Sequence, residues 1–132
     1  MTPEAIRKYL LAKPDAQEDY PFGPDVAVMK VAGKMFATLA RDEDDMNMNL
    51  KCDPDEALIL RDIFPAVKPG YHMNKRHWNT LVLDGSIPRG ETERMIDNSY
   101  ALVVKGLPRG KRQALEIAHG RDALYPSPGR QT

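Results

Sequence analysis

Along "MNMNLKC", Met46, Met48, Leu50 and Cys52 alternate with Asn47, Asn49 and Lys51. A period of two is that of a strand with one face in a core and the other polar. Two shorter β-prone runs precede it, Val26–Val31 and Lys34–Leu39, and Ala32-Gly33 between them predicts a hairpin. By the same alternation Ala27, Met29 and Val31 point inward and Lys30 outward. "HWNTLVLDG" predicts a further strand ending at Asp84-Gly85, with Leu81 and Leu83 inward and Trp78, Thr80 and Val82 on the face of Lys30, Asn49 and Lys51.

Elsewhere the spacing is helical. Thr2 before Pro3 and Glu4 is a hydroxyl cap, a proline in the first turn and an acid near the positive end of the helix dipole. Ile6, Tyr9 and Leu10 follow before Pro14 closes the segment. "YPFGPD" is a loop. "DPDE" at Asp53–Glu56 starts a second helix with an apolar stripe of Ala57, Leu58, Leu60, Ile63 and Phe64, closed by Pro65. A long helix then runs from Ile87-Pro88 to Lys105, burying Met95, Ile96, Tyr100, Val103 and Val104, and Gly106 and Pro108 stop it. "KRQALEIA" forms a short helix. These elements predict an α+β domain over residues 1–118, an antiparallel sheet with helices packed on one face and the other face open, followed by a partly disordered tail at 119–132. Met29, Phe36, Met48, Leu50, Leu60, Leu81, Leu83, Ile96 and Val103 are its expected core.

Composition narrows the function. The chain has 132 residues, 42% of them hydrophobic, and carries 19 basic and 19 acidic side chains. That size suits one domain with a real core. No window approaches a membrane span, and the N-terminus lacks the layout of a secretory signal, so a cytoplasmic protein without membrane contact is expected. The single Cys52 excludes an internal disulfide and agrees with a reducing compartment. Zero net charge argues against a strong non-specific polyanion binder, yet the charge is unevenly spread. Arg41–Glu56 holds seven acids and two bases, whereas Ala66–Val82 holds Lys68, Lys75 and Arg76 with no acid. Lys105–Arg112 adds four more bases. Such a pattern makes a dipolar fold with one anion-attracting face, unless acids and bases interleave on the folded surface.

The segment "PGYHMNKRHWNT", Pro69–Thr80, gathers two histidines, two cations, a tyrosine and the only tryptophan. An aromatic ring beside lysines on an open sheet is a platform for stacking a base and holding phosphates. The candidate binding residues are Lys51, Lys68, Tyr71, His72, Asn74, Lys75, Arg76, His77 and Trp78. Arg76 has the fork that fits a phosphate or a guanine edge. Metal chemistry fares worse. His72 and His77 share no helical face, His119 is distant, and "RDEDDMN" at Arg41–Asn47 lacks the glycine and distal glutamate of a calcium loop. Asp42, Glu43, Asp44 and Asp45 are therefore expected to be exposed and metal-free. Ser86, Ser99 and Ser127 have no nucleophile-elbow context, Cys52 reads as a small core hydrophobe, and "GLPRGK" lacks the P-loop pattern. No enzyme and no cofactor is read from the chain.

Together "PFG" at Pro21–Gly23, "GKMFA" at Gly33–Ala37, "LKCDP" at Leu50–Pro54, Pro69–Thr80 and "SY" at Ser99-Tyr100 resemble the MmcQ/YjbR family of small bacterial proteins. The resemblance runs to Arg112. It implies an α+β fold related to the frataxin-like (CyaY-like) superfamily and to the "double wing" domain of a phage transcription factor. It also implies DNA binding, a label resting on fold analogy. Three readings of Pro69–Thr80 stay open: a DNA or RNA surface on a monomeric protein; a pocket of Tyr71, His72, His77 and Trp78 for a small anionic ligand or acidic peptide; and a loop that only supports the Trp78 strand, with the tryptophan packed on Pro69 and Tyr71.

Overall fold

The computed structural model describes residues 1–42 and 45–126, with only the backbone of Asp42. Helix α1 (Pro3–Leu11) is capped by Thr2, whose hydroxyl accepts from Ala5 N at 3.1 Å. It leads into β1 (Gln17–Asp19), β2 (Val26–Val31), β3 (Lys34–Asp42) and β4 (Asp45–Lys51). Helix α2 (Pro54–Ile63) follows, capped by Asp53, whose carboxylate accepts from the amides of Asp55 and Glu56. Strands β5 (Val67–Pro69) and β6 (Trp78–Val82) come next, then α3 (Arg89–Lys105), α4 (Arg109–His119) and α5 (Arg121–Leu124).

The strands form one antiparallel sheet in the order β1-β2-β3-β4-β6-β5. The fold is thus the α+β class that the alternation predicts. The β2–β3 hairpin turns at Ala32-Gly33, both in left-handed backbone. The edge strands β1 and β5, three residues each, are too short for the alternation to reveal. Short edges, one ending in a proline, also leave little template for pairing with another chain.

Register sorts the faces. Ala27, Leu39, Met48, Leu81 and Val67 lie opposite one another across the sheet and share the core with α1, α2 and α3. A bulge between Met29 and Lys30 makes Phe36 the extra residue of β3, and its ring drops edge-on to Tyr100, 5.2 Å between centroids. Ser99 uses the same irregularity: its hydroxyl donates to Phe36 O at 2.6 Å and accepts from Lys51 N at 2.8 Å, tying α3 to two strands. Tyr100 donates its hydroxyl to Pro14 O at 2.7 Å, fastening α3 to the end of the first helical segment.

Three expectations need correction. On α2 only Ala57 and Leu60 are buried; Leu58, Ile59 and Ile63 are 61%, 57% and 58% exposed. The inward stripe is narrower than expected: Ala57 and Leu60 face the core, Phe64 packs at its margin, and Arg61 turns toward the 70–78 segment. Leu83 is half-buried at the core margin, since it lies just past the end of β6. Finally, the segment assigned to a tail carries α5, with Leu124 in the core and the Tyr125 hydroxyl donating to Glu116 at 2.9 Å; residues 127–132 lie outside the described ones.

Candidate nucleic-acid interface

The face away from the helices carries the row Val28, Thr38, Asn49, Thr80 and Lys68, and beside it the pair Lys51 and Trp78. Directly opposed residues of antiparallel strands share a face, so Trp78, Thr80 and Lys51 stand together. Lys51 on β4 and Lys68 on β5 flank β6 from its two sides, level with Trp78 and Thr80 respectively, so that their backbones lie roughly 12 Å apart by strand spacing and rise.

The face is not open throughout. Val28 is 2% exposed and Thr38 and Thr80 6% each. Thr80, expected to face solvent, is covered because the chain after β5 curls onto it: its hydroxyl accepts from Tyr71 N at 2.9 Å and donates to Asn49 Oδ1. Lys30 is not a free cation either. It holds Asp19 at 2.9 Å, which keeps that carboxyl below the usual range.

The 70–78 segment is built from backbone contacts. Gly70 N donates to Trp78 O at 2.9 Å, and a Cβ on Gly70 would lie 2.8 Å from both Trp78 Cβ and Trp78 O, so only glycine fits. Asn74 closes the next turn, accepting Arg76 N on its side chain at 2.9 Å and His77 N on its carbonyl at 3.2 Å. His77 O accepts from Cys52 N at 2.7 Å, extending the β4–β6 ladder. From below, Arg61 reaches up: Nε donates to Asn79 Oδ1 at 2.8 Å, and Nη2 donates to Lys75 O and, at 3.4 Å, to Trp78 O. Asn79 itself is 2% exposed on the core face and donates to Ala57 O at 3.5 Å.

The candidate residues divide accordingly. Asn74 shapes the turn. Lys68, Lys75 and Arg76 are exposed, Lys51 is half-exposed, and none of these cationic heads has an acidic partner among the described residues. Trp78 and His77 are half-buried. Tyr71 is 67% exposed and leans against His72, 3.9 Å between ring centroids with the planes 50° apart. His72 has φ 59°, in the left-handed region that histidine, like asparagine and aspartate, enters more readily than other non-glycine residues.

Arg61 and Asn79 escaped the sequence reading, although both left a signal. Arg61 has no acid three or four residues away on its own helix, which leaves its guanidinium free for a tertiary contact. Asn79 falls on an inward position of the β6 alternation, where a polar group must find a hydrogen bond.

The other chemistry resolves plainly. No group of three or more His, Cys, Asp and Glu side chains suited to a metal occurs among the described residues. Asp45 is exposed; Glu43, Asp44 and the Asp42 side chain lie outside them. His119 Nε2 pairs with Asp15 at 3.2 Å. Burial, then the neighbouring Glu56 and Asp53 charges, push the Cys52 thiol up to about 12, so it is no nucleophile. No helix among the described residues is long and apolar enough to cross a membrane.

The YjbR family model matches residues 11–102. The chain is 36% identical over 106 residues to YbdF of Escherichia coli O157:H7, covering 80% of this chain and 87% of that one. It is 35% identical to YjbR of Escherichia coli K12, covering 87% and 98%. A crystal structure of a Deinococcus radiodurans protein with a DUF419 domain superposes with a TM-score of 0.79 at 33% identity, covering 86% of this chain and 90% of the other.

Proposed function

The chain belongs to the YjbR family, and from that premise we propose that it is a non-enzymatic, monomeric cytoplasmic protein that binds DNA or RNA on the outer sheet face. The observation that carries this is the set of cations without acidic partners among the described residues: Lys68, Lys75 and Arg76, in a stretch with no acid from Ala66 to Val82 that also carries Trp78, and Lys51, directly opposite Trp78 on β4. Phosphates bind solvent-facing donors, and an aromatic face between them stacks an unpaired base. Lys51 beside Trp78 and Lys68 beside Thr80 offer two phosphate contacts across β6, and Lys75 and Arg76 extend them along the loop.

The rival is a pocket of Tyr71, His72, His77 and Trp78 for a small anion. A pocket needs converging groups in a concavity. Tyr71 and His72 project from the surface instead, which favours an extended polyanion.

The test is a salt titration of binding to single-stranded and duplex oligonucleotides. Each phosphate contact adds about 0.9 to the slope of log K against log salt on duplex and about 0.7 on single strands. Lys75→Ala/Arg76→Ala is expected to make the slope shallower by about 1.4–1.8 units. Trp78→Ala is expected to cost about 1–3 kcal/mol with little change of slope. Absence of binding to any DNA or RNA at low salt rejects the proposal.

A further inference from the structure

The basic run Lys105–Arg112 plays no part in the surface described above, and the fold gives it a setting of its own. Lys105 ends α3, Arg112 lies in the first turns of α4, and α5 brings Arg121 and Tyr125 against them. Together with Glu116 these residues line an open cleft of about 360 Å³. Glu116, its side chain 19% exposed, accepts from Arg121 Nη1 at 2.8 Å and from the Tyr125 hydroxyl at 2.9 Å. Its charge is thereby answered by Arg121. Lys105 Nζ lies 5.4 Å and Arg121 Cζ 5.0 Å from the centre of the Tyr125 ring. Neither Lys105 nor Arg112 has an acidic partner among the described residues.

Three cations and one carboxylate leave this cleft with two uncompensated positive charges. We propose that it is a second binding site, for a dianionic phosphate group held between Lys105 and Arg112. Like charges gathered in one cleft raise the local potential, and a dianion cancels it. The Arg112 fork matches two phosphate oxygens, Lys105 supplies a point charge, and the Arg121–Glu116–Tyr125 chain fixes the wall behind them. All the lining residues lie beyond residue 102, where the family match ends, so the site belongs to this chain's C-terminal helices and shares no residue with the outer sheet face.

Isothermal titration calorimetry with inorganic phosphate, inorganic pyrophosphate and phenyl phosphate at low ionic strength tests it. One saturable site is expected. Binding of phenyl phosphate together with inorganic phosphate identifies the phosphate group alone as the ligand; binding of phenyl phosphate without inorganic phosphate identifies an organic phosphomonoester. Arg112→Ala and Lys105→Ala are each expected to weaken binding about tenfold or more, as loss of a charge-assisted contact does. Glu116→Gln releases Arg121 and is expected to tighten binding severalfold, a gain that misfolding cannot mimic. Lys75→Ala/Arg76→Ala is expected to leave it unchanged, which separates this site from the oligonucleotide surface. Absence of saturable heat at millimolar concentrations overturns the proposal. Unaltered binding in Arg112→Ala, or equal loss in the Lys75/Arg76 variant, overturns it too.

Discussion

Arg61→Ala separates what holds the 70–78 segment from what that segment binds with. The substitution removes the donor to Asn79 Oδ1 and the donors to Lys75 O and Trp78 O. The first loss matters most, because Asn79 is 2% exposed and its oxygen has no water to turn to. A buried acceptor left without a partner costs about 1–3 kcal/mol. Trp78 O keeps the bond from Gly70 N, and the outward-facing Lys75 carbonyl regains water, so those losses add little. The total is therefore about 1–3 kcal/mol. For a chain of this size 1 kcal/mol moves the midpoint by roughly 3–5 °C, so Tm is expected to fall by about 3–15 °C in a circular-dichroism melt. Arg61→Lys keeps the charge but not the fork and is expected to fall between the two. Oligonucleotide binding is expected to weaken as the segment loosens, while the salt slope stays as in the parent, since Arg61 points at protein carbonyls. An unchanged Tm refutes the clamp. A slope shallower by a full phosphate contact shows Arg61 itself on the nucleic acid, and refutes the division of labour.

Other substitutions probe the same frame. Gly70→Ala places a methyl 2.8 Å from Trp78 Cβ and from a backbone oxygen, neither of which swings aside; a loss of about 1–3 kcal/mol is expected in urea denaturation. Ser99→Ala strands Phe36 O and Lys51 N beneath α3 and is expected to cost about 2–5 kcal/mol, with Ser99→Thr recovering part of it if the methyl is accommodated. The Cys52 thiol, raised from 9.0 to about 12, holds its proton more tightly folded than unfolded. Its contribution to stability is therefore complete below pH 9 and lost as pH climbs toward 12, so Cys52→Ala is expected to flatten the fall of the urea midpoint over that range.

The sequence exposed those features whose signal is local. The period of two in Met46–Cys52 and in Trp78–Leu83 places Lys51 and Trp78 on one face before any coordinates exist, and the register confirms them as direct partners. Thr2 and Asp53 announce their helices because a cap is a contact over three residues. What stayed hidden depends on distance along the chain. Lys30 reads as a free cation until Asp19, eleven residues back, closes on it. The stripe of α2 reads too wide, with Leu58 and Ile63 counted inward, and the contact of Arg61 with a carbonyl fourteen residues away leaves no local trace. The three residues of β5 are defined only by their pairing with β6.

The resemblance motif Pro69–Thr80 contains two kinds of residue, and the structure tells them apart. Gly70 is required by the close passage of Trp78, Asn74 by the turn it closes, and Thr80 by the amide of Tyr71 that it accepts. For these a structural reason is complete, and no ligand is needed to account for them. Lys75 contributes only its carbonyl to the fold, and Arg76 only its amide. Their side chains, like that of Lys68, could be shortened without leaving a cavity or an unpaired group. A loop meant only to brace the Trp78 strand would work as well with any soluble residue at those positions. Of the side chains that the fold does not use, those of Lys68, Lys75 and Arg76 are positive and those of Tyr71 and His72 are exposed rings, all on the segment that leads into Trp78, which is why the structural role of the segment and its proposed role in binding do not compete: they reside on different atoms of the same residues.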